Sequence, residues 1–578
     1  MKRSGLILVV CLFTIPLFAQ TSGGIVGKVT DATGAALPGV TVEAKSPSLQ
    51  GTRATVSESD GAYRFALLPP GQYAVRFDLS GFAPLVHNVV VSLGKDSTLD
   101  AAMRLASLSA EVTVSAEAPV LDTTSTTLGT NLSTRAIETL PTGRNYASIV
   151  QVAPGVQSDA NPSNGSQSTI SVYGSSGAEN AFYIDGVNTT NMEYGFQGKE
   201  LNFEFISEVD VKTGGYEAEF GRSTGGIINV ITKSGGNQFS GDLFGYHDSN
   251  SLQSNAKPVV STGGTQTGFA RKDYGADVGG FIVRDRLWFF AAYDGVRNSV
   301  DNSLPAGPDA GQIVSSDSRR NLGSAKLTYN LGSSHSLVAT FLQDPRVDTG
   351  AINDSNHSLN GEPATYLGRQ DFGGRDYALR YDGSFFSKLI ASLQVARHRE
   401  ANSVGPSTSA GNAVEFLDAS NNFFQTGGFG QIQDKTFDRK HYSTALSSIL
   451  AGHEIKGGLE YEQASAQVTK VMSGGQQVSV FANPVNPARP IYSHFYWTTP
   501  DATVANAPIS QLSASPEHKV TTAYLQDRWS VNNNLVISYG LRWDRQQIID
   551  ASGITQIDMK KDVAPRLGVI WDPTGAHK

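Results

Sequence analysis

Histidine, serine and cysteine are the residues that would first suggest catalysis in this sequence, and their spacing supports none. A zinc carboxypeptidase binds its metal through a His and a Glu three positions apart, and none of the ten His residues has a Glu at that distance. The cluster Gly174-Ser175-Ser176-Gly177 has neither the G-x-S-x-G spacing of a nucleophile elbow nor the Lys-Ser/Thr pair of a phosphate loop. We therefore predict a protein that is not an enzyme, with no catalytic residue, no metal site and no cofactor.

Aromatic side chains that could contact a ligand are concentrated in two long polar segments, near 401–436 and 473–518. Flat rings stack on sugars and on peptides, which makes these residues candidates for a ligand-binding site. Aromatic residues also gather where a membrane meets water, and this second interpretation explains the same pattern. The ligand-binding candidates are Phe423, Phe424, Tyr492, Tyr496 and Trp497.

The first residues of the chain predict a secreted protein. Two basic residues precede an apolar run from Leu6 to Phe18, and Ala19 stands before a polar stretch. This order is typical of a signal peptide cleaved after Ala19, and the run is shorter than the about 20 residues that a spanning helix needs. The single cysteine, Cys11, lies within this run. Removal of residues 1–19 would leave a mature chain without disulfides or thiolate metal ligands.

The composition of the whole chain separates helical from strand-based architectures. Its 578 residues include 60 Gly, have 17% charged side chains and a net charge of -8, and contain no second long apolar segment. A helical membrane protein is therefore excluded, whereas a secreted β protein and an outer-membrane barrel with a polar lumen both fit. The acidic balance, without clustered Lys and Arg, argues against a nucleic-acid partner.

Residues 20–105 form a block of short strands separated by turn signals, which predicts a small seven-strand β-sandwich. The segment Asp60-Gly61-Ala62-Tyr63, followed by Leu68-Pro69-Pro70-Gly71-Gln72-Tyr73, resembles the carboxypeptidase regulatory-like domain. That resemblance implies a carbohydrate-binding-like sandwich. It does not imply enzymatic activity, because the metal ligands of the peptidase are missing.

The stretch from Phe203 to Gly241 alternates β-branched runs with glycine doublets, which predicts a compact sheet with tight turns. Upstream, Leu140-Pro141 ends a short helix and Asp185-Gly186 predicts a hairpin turn. The order of these motifs resembles the plug domain of TonB-dependent outer-membrane receptors, whose last motif leads into the first strand of a transmembrane barrel. We assign residues 119–237 to this plug. Its motif residues are Asp185, Gly186, Gly225, Gly226, Asn229, Thr232 and Lys233.

A short β-prone segment precedes the predicted plug, within residues 106–118. By itself the segment is typical of a linker or of the last strand of the sandwich. The resemblance implies a sharper interpretation, in which the segment is a TonB box that adds as a strand to the energy-transducing protein TonB. The candidate residues are Glu111, Val112, Thr113, Val114 and Ser115.

Residues 238–578 alternate apolar and polar side chains with a period of two, for example over 324–331, 376–382 and 535–544. Charged residues in these runs would each cost roughly 2 to 4 kcal/mol at the lipid midplane, so their face must point into a lumen. We count about twelve strands, roughly half of the 22 that plugged transporters have. The predicted fold class is thus all-β dominated, with an N-terminal β-sandwich, an α+β plug and a partial antiparallel transmembrane β-barrel.

Connections between these strands alternate between short and long, which is the outer-membrane pattern. Short turns are predicted at 284–285, 332–334, 386–387, 451–452 and 532–533. Long polar loops are predicted near 250–270, 298–316, 345–371, 401–436 and 473–518. The last residues read as a turn and not as a terminal aromatic strand, so we expect a truncated gene product or a fragment.

The resemblance covers nearly the whole mature chain and implies an Oar-like receptor in the outer membrane of a Gram-negative-type bacterium, with its N-terminal domain in the periplasm. We expect it to contact outer-membrane lipid and to take up an extracellular glycan, peptide or metal chelate with energy from the TonB complex. A non-transporting adhesin or sensor, and a SusC-like glycan importer with a lipoprotein lid, remain as alternatives. Uptake coupled to the proton gradient would distinguish the transporter from the adhesin, and a neighbouring lid gene would favour the glycan importer.

Overall fold

A computed structural model describes residues 22–49, 51–106, 112–115, 126–140, 143–158, 169–254, 265–305, 307–332, 334–354, 356–385, 389–450, 452–486, 488–498, 508–532 and 534–573. The predicted signal peptide, Glu111 and Pro141 lie outside these residues. A β-sandwich, a small mixed domain and a large antiparallel sheet follow one another along the chain. Within these ranges, none of the helices has both the length and the apolar character needed to cross a membrane.

The N-terminal region is a sandwich of two sheets, as the sequence predicts. Its strands are β1 (Gly23–Asp31), β2 (Thr41–Lys45), β3 (Arg53–Val56), β4 (Ala62–Leu68), β5 (Gly71–Asp78), β6 (Leu85–Val91), β7 (Asp96–Thr98), β8 (Ala101–Met103) and β9 (Val112–Ser115). One sheet has the order β4-β1-β7, with β8 also paired to β1, and the other has the order β3-β2-β5-β6-β9. Because β7 and β8 pair with successive parts of β1, they act as one interrupted strand. Alternate residues of both sheets, such as Val29, Val75 and Phe77, share one core.

Residues 106–118, assigned to a linker, contain a strand at 112–115, which agrees with the alternative interpretation as the last strand of the sandwich. β9 pairs in parallel with β6, from Leu85 opposite Val112 to Asn88 opposite Ser115. Without this strand, the edge of β6 would leave backbone N–H and C=O groups unpaired, and an extended segment close in sequence can satisfy them. The sandwich therefore includes residues 112–115, and β9 is the outermost strand of its second sheet.

The middle domain corresponds to the predicted plug. Its elements are β10 (Leu128–Ser133), α1 (Thr134–Thr139), α2 (Tyr146–Val150), β11 (Val156–Ser158), β12 (Ile170–Val172), β13 (Ala181–Ile184), β14 (Val187–Asn188), β15 (Ile206–Gly214) and β16 (Ile227–Thr232), with 3-10 turns at Gly177–Glu179 and Phe203–Phe205. The main sheet has the order β10-β15-β16-β13-β14, and β11 pairs with β12. Every residue of β16 is buried, which is why this strand is a continuous apolar and β-branched run apart from Asn229.

The third region is one large antiparallel sheet that curves around the plug. Its strands are β17 (Leu243–Ser249), β18 (Thr265–Val283), β19 (Leu287–Ser303), β20 (Ile313–Asn330), β21 (His335–Gln343), β22 (Arg346–Ala351), β23 (Leu367–Phe385), β24 (Leu389–Pro406), β27 (Gln431–Leu450), β28 (His453–Met472), β33 (Gln511–Ala514), β34 (Glu517–Asn532), β35 (Leu535–Ile549) and β36 (Thr555–Trp571). Its main path has the order β17-β18-β19-β20-β21-β23-β24-β27-β28-β34-β35-β36, while β22 pairs with β20 and β23, and β33 pairs with β28. These twelve main strands agree with the predicted number.

In this sheet the apolar side chains are exposed and the charged side chains are buried, which is the opposite of the pattern in a soluble protein. In β20, Leu327 is 46% exposed while its neighbour Lys326 is 5% exposed. In β35, Leu541 is 52% exposed while Arg542 is 2% exposed. The apolar face therefore points away from the protein and the polar face points toward the plug, as expected of a barrel wall surrounded by lipid.

The two ends of this sheet differ as the sequence predicts, but the predicted loops near 250–270, 298–316, 345–371 and 401–436 are too long. β18 already begins at Thr265. β19 continues to Ser303, β23 already begins at Leu367, and β24 continues to Pro406. β23 contains 19 residues, whereas about 9 to 11 are enough to cross a membrane. The strands therefore extend well beyond the membrane before the chain turns, which converts part of each predicted loop into strand.

The loops at the long-loop end carry regular structure of their own. The elements within these loops are α3 (Pro363–Tyr366), β25 (Glu415–Asp418), β26 (Phe424–Gly427), β29 (Gln477–Phe481), β30 (Ile491–Phe495), β31 (Trp497–Thr498) and β32 (Pro508–Ile509), with 3-10 turns at Ser409–Asn412, Ala419–Asn421 and Ser473–Gly475. The loop after β24 and the loop after β28 combine into one sheet with the order β26-β25-β29-β30. The parallel pairing of β25 with β29 joins the two loops.

Candidate functional site

The Asp185 carboxylate connects the plug to the barrel wall. Asp185 and Gly186 have φ angles of 48° and 79°, the left-handed conformation that the tight turn between β13 and β14 requires. Asp185 accepts hydrogen bonds from the N–H and hydroxyl groups of Thr232 at 3.1 and 2.6 Å, and from Lys326 Nζ of β20 at 2.9 Å. Lys326 also donates to the Thr232 carbonyl at 2.8 Å. One buried cation thus holds the turn, β16 and the wall together.

Gly225 and Gly226 allow the chain to pass close to a buried asparagine. A Cβ atom on Gly225 would lie 2.4 Å from Asn180 Oδ1, and a Cβ atom on Gly226 would lie 2.5 Å from Val172 Cγ2. This proximity matters because the Gly226 N–H donates to Asn180 Oδ1 at 2.7 Å, and Asn180 Nδ2 donates to the Ile170 carbonyl at 2.7 Å. Larger residues at the two glycines would push β12 and β16 apart.

A second ionic contact between plug and barrel centres on Glu462 of β28. Arg222 of the plug donates to both carboxylate oxygens of Glu462, at 2.9 and 3.2 Å. Asn188 Nδ2 donates to the same carboxylate at 3.2 Å, and the side chain of Arg439 in β27 lies 3.5 Å from it. Burial by itself lowers the pKa of Arg222, but the adjacent Glu462 outweighs it and holds the pKa above its ordinary value. Arg222 therefore remains charged inside the barrel.

Further ion pairs join the plug to the wall at other points of its circumference. Lys199 of the plug lies 2.8 Å from Asp344 and 3.5 Å from Asp376, and all three side chains are nearly inaccessible. Burial lowers the pKa of Lys199, but the two carboxylates outweigh it and raise the pKa overall. The other pairs among the described residues are Arg144 with Asp273, Glu193 with Lys435, Glu200 with Arg320, Glu219 with Lys456, and Lys233 with Asp277.

Asn229 is the plug-motif residue whose side chain has an unsatisfied atom. Its side chain is buried, and its Oδ1 atom has no hydrogen-bond partner among the described residues. A cavity of about 20 Å³ adjoins it between plug and barrel, with Glu460, His441 and Tyr524 in its walls. This cavity has room for water and not for a larger ligand.

The sandwich contacts both the plug and the short-turn end of the barrel. The Leu93 N–H donates to Glu208 Oε1 of β15 at 2.9 Å. Burial raises the pKa of Glu208 to about 7, although this hydrogen bond opposes the shift. Asp96 of the sandwich lies 3.0 Å from Arg64 in its own domain and 3.8 Å from Arg528 of β34. The sandwich therefore covers the end of the plug that carries Glu208.

Four of the candidate TonB-box residues, Val112–Ser115, form β9. Among the described residues, β9 pairs with β6 alone, so its other edge has no strand partner there. An edge strand of this kind presents a row of backbone N–H and C=O groups, which is what strand addition uses.

The structure separates the five aromatic candidates for ligand binding. Phe424 lies in β26 and lines a cavity, whereas the neighbouring Phe423 is exposed and adopts a φ of 55°. Tyr492 is exposed on β30, at the far edge of the same sheet. Tyr496 follows it, and the Trp497 ring lies 5.8 Å from Lys470 Nζ. The five candidates thus belong to different elements of the long-loop end.

Several residues of the plug–barrel contact are not among the sequence-predicted candidates. Lys199, Arg222 and Glu462 belong to this group, and so does Lys326. A signal for the barrel residues exists in the sequence, because charges that alternate with apolar residues mark the face that points inward. No local signal identifies their partners, since Arg222 and Glu462 are separated by 240 positions.

Three known protein families match consecutive parts of the chain. The family described as "Carboxypeptidase regulatory-like domain" matches residues 24–104, and "TonB-dependent Receptor Plug Domain" matches residues 121–227. "Outer membrane beta barrel domain" matches residues 231–312 and 302–556, which is more than half of the chain.

Among characterised relatives, the chain is 28% identical to the TonB-dependent transporter Oar of Myxococcus xanthus. The alignment covers 97% of this chain and 61% of that protein, so this chain spans less than two thirds of the relative's length. Among solved structures, the chain is similar to the outer membrane transporter YddB of Escherichia coli, with a TM-score of 0.54, 16% identity, and coverage of 78% of this chain and 59% of that one. It is also similar to the ferric citrate transporter FecA in the unliganded form, with a TM-score of 0.53, 14% identity, and coverage of 78% and 61%. At these identities the structures establish the fold alone.

A mixed domain held by buried ion pairs inside a lipid-facing sheet defines a plugged outer-membrane β-barrel protein. The chain belongs to the TonB-dependent outer-membrane receptors that carry an N-terminal carboxypeptidase regulatory-like domain. The protein is located in the outer membrane, with its sandwich and plug on the periplasmic side and its long loops on the extracellular side.

Proposed function

We propose that this protein takes up an extracellular ligand by a TonB-driven displacement of its plug. The observation that carries this proposal is the set of buried ion pairs between plug and barrel, above all Lys326 with Asp185 and Arg222 with Glu462. Among the described residues, two cavities lie between the plug and the wall, and their volumes are about 150 and 20 Å³. A ligand that enters from the loops therefore needs the plug to move.

The energetics of these pairs explain why displacement needs an external source of work. Separating a buried ion pair without replacing its partner costs about 3 to 5 kcal/mol, compared with a thermal energy of roughly 0.6 kcal/mol. Several pairs must open together if the plug moves as one body. Spontaneous opening would then be rare, which keeps the membrane sealed between transport events.

The segment Val112–Ser115 is a suitable point for applying this work. As β9 it lies at the edge of the sandwich, between the sandwich core and the first plug strand, β10. Its unpaired edge offers backbone groups for addition of a TonB strand. Force on β9 would act on the sandwich through β6 and on the plug through the chain that leads to β10.

The test uses cross-linking and labelling, because neither needs the ligand. The predicted mature chain has no cysteine, so Thr113→Cys should form a disulfide with a single-cysteine TonB, whereas Ala54→Cys on β3, the opposite edge of the same sheet, should not. Ser171→Cys, which is buried in the plug, should react with a maleimide faster in energised cells than in protonophore-treated cells. Val114→Pro and Ser115→Pro are each combined with Ser171→Cys, and the proline that removes a donor from the free edge of β9 should abolish that difference.

The reaction rate of Ser171→Cys with the maleimide can also contradict the proposal. If Ser171→Cys reacts equally fast with and without the proton gradient, or in cells that lack TonB, the plug is not displaced by TonB. A non-transporting adhesin or sensor on the same scaffold would then be favoured.

A further inference from the structure

A cavity of about 420 Å³ lies among three extracellular loops. The loop between β19 and β20 contributes Pro308 and Asp309, and the loop before β23 contributes Glu362 and Pro363. Phe424 of β26 forms part of the wall. The described lining includes no plug residue, so the cavity is separate from the contact between plug and barrel. Its volume lies within the about 300 to 1,000 Å³ that is usual for small-molecule sites.

The walls of this cavity are tied together by backbone hydrogen bonds. The Glu362 N–H donates to the Gln425 carbonyl at 2.9 Å, and the Gln425 N–H donates to the Asn360 carbonyl at 2.9 Å. A Cβ atom on Gly307 would lie 2.3 Å from the Phe424 ring, so the first loop packs directly against this side chain. The cavity is therefore preformed, which reduces the entropy cost of binding.

An apolar cluster supports the cavity from the barrel side. Its buried members are Leu304, Ala351, Leu359 and Tyr366, and Leu367 packs against them. Leu367 also lines the cavity. The loops thus have a small hydrophobic core of their own.

The lining combines an apolar surface with carboxylates and without basic residues. Pro308, Pro363, Leu367 and Phe424 supply the apolar part. Asp309 and Glu362 supply the charge, and neither forms an ion pair within the described residues. The Glu362 carboxylate accepts a hydrogen bond from the Gly427 N–H at 3.3 Å. The described lining includes no Lys or Arg.

We propose that this cavity binds an organic cation that has an apolar body. The two carboxylates would attract the positive charge, and the face of an aromatic ring such as Phe424 also favours a cation. The proline, leucine and phenylalanine side chains would bury the apolar part. An anion of the same shape would meet two uncompensated like charges. This inference goes beyond the proposed function and does not depend on TonB.

Calorimetric titration of the full chain in detergent, with 4-phenylbutylamine as the probe, tests this proposal. 4-Phenylbutyrate has the same apolar body with an anionic group and serves as the matched probe. We expect the amine to bind at least about tenfold more tightly, and the double variant Asp309→Asn, Glu362→Gln to lose about tenfold in affinity for the amine. Phe424→Leu should weaken both probes, since it removes the ring.

A control variant separates a local effect from the general charge of the surface. Asp317→Asn changes an exposed carboxylate on β20, close to the same loop but outside the cavity, and should leave amine binding unchanged. Equal affinity for the amine and the carboxylate would overturn the proposal. Undiminished amine binding by the double variant would overturn it as well, whether or not TonB cross-linking succeeds.

Discussion

Glu208 gives the contact between sandwich and plug a dependence on pH. Burial raises its pKa from an ordinary value of 4.5 to about 7. Between these values the folded protein keeps a proton that the unfolded chain has released, so the stability of the folded state falls as the pH rises through this window. The difference between the two pKa values corresponds to about 3 kcal/mol above pH 7.

We predict that the urea midpoint for unfolding of the sandwich and plug is higher at pH 5 than at pH 8. Glu208→Gln should remove most of this difference, because the amide does not titrate and its oxygen can still accept from the Leu93 N–H. Urea titrations at several pH values measure the effect. Glu138→Gln alters an exposed carboxylate on α1 and should keep the pH dependence of the original protein. An unchanged pH dependence in Glu208→Gln would show that another group is responsible.

The contact between Lys326 and Asp185 allows the cost of a buried charge to be measured. Lys326→Met should leave Asp185 without its cation, at a cost of about 3 to 5 kcal/mol in the stability of the seated plug. Combining it with Asp185→Asn should recover much of that loss, because both charges are then absent. The readout is the urea concentration at which Ser171→Cys becomes reactive toward a maleimide. If the double variant is as unstable as Lys326→Met, the loss comes from packing and not from charge.

At the scale of elements, the length of the barrel strands determines how far from the membrane the extracellular loops begin. β23 and its neighbours continue far beyond the membrane, so the extracellular loops begin at the tips of long hairpins. Two of these loops meet in the sheet β26-β25-β29-β30, which gives them a fixed arrangement.

The difference between the two ends predicts the result of surface proteolysis. A protease-cleavable tag inserted near residue 410 or 490 should be cut on intact cells, because both positions lie in extracellular loops. A tag at Gly332, in the short turn between β20 and β21, should be cut only after the outer membrane is permeabilised. Immunoblots of treated cells measure the cleavage. Cleavage at Gly332 but not at 410 or 490 on intact cells would mean that the barrel has the opposite orientation.

The proposed capture of TonB would give β9 a second partner besides β6. Its pairing with β6 uses one edge, and backbone N–H groups of successive strand residues point to opposite edges. Proline at Val114 and proline at Ser115 should therefore have different effects. One substitution should weaken the capture of TonB and the other should weaken the contact with β6.

At the scale of the whole molecule, the sandwich, plug and barrel form one connected system. Asp96 links the sandwich to Arg528 of the barrel, Glu208 links the plug to the sandwich, and Lys326 links the barrel to the plug. Work applied at β9 would reach all three domains.

The sequence alone determines the order of the three domains. It also determines which side chains of the barrel strands point to the lipid and which point to the interior. Alternation of apolar and polar residues and turns such as Asp185-Gly186 are local properties, because the backbone sets a period of two in a strand and needs particular residues in a tight turn. The number of main barrel strands, the hairpin after β13 and the end of α1 before Leu140 could all be predicted for this reason.

Only the tertiary structure decides which charges meet and where the ends of the strands lie. Arg222 and Glu462 are 240 positions apart, and Lys326 and Asp185 are 141 apart, so no local pattern pairs them. The attachment of β9 to β6 depends on an open sheet edge that exists only after the sandwich has folded. The cavity around Phe424 likewise depends on three loops that come together at the tips of long strands. Ion pairs and cavities depend on the distances between side chains that are far apart in the sequence. These distances are established only when the complete fold has formed.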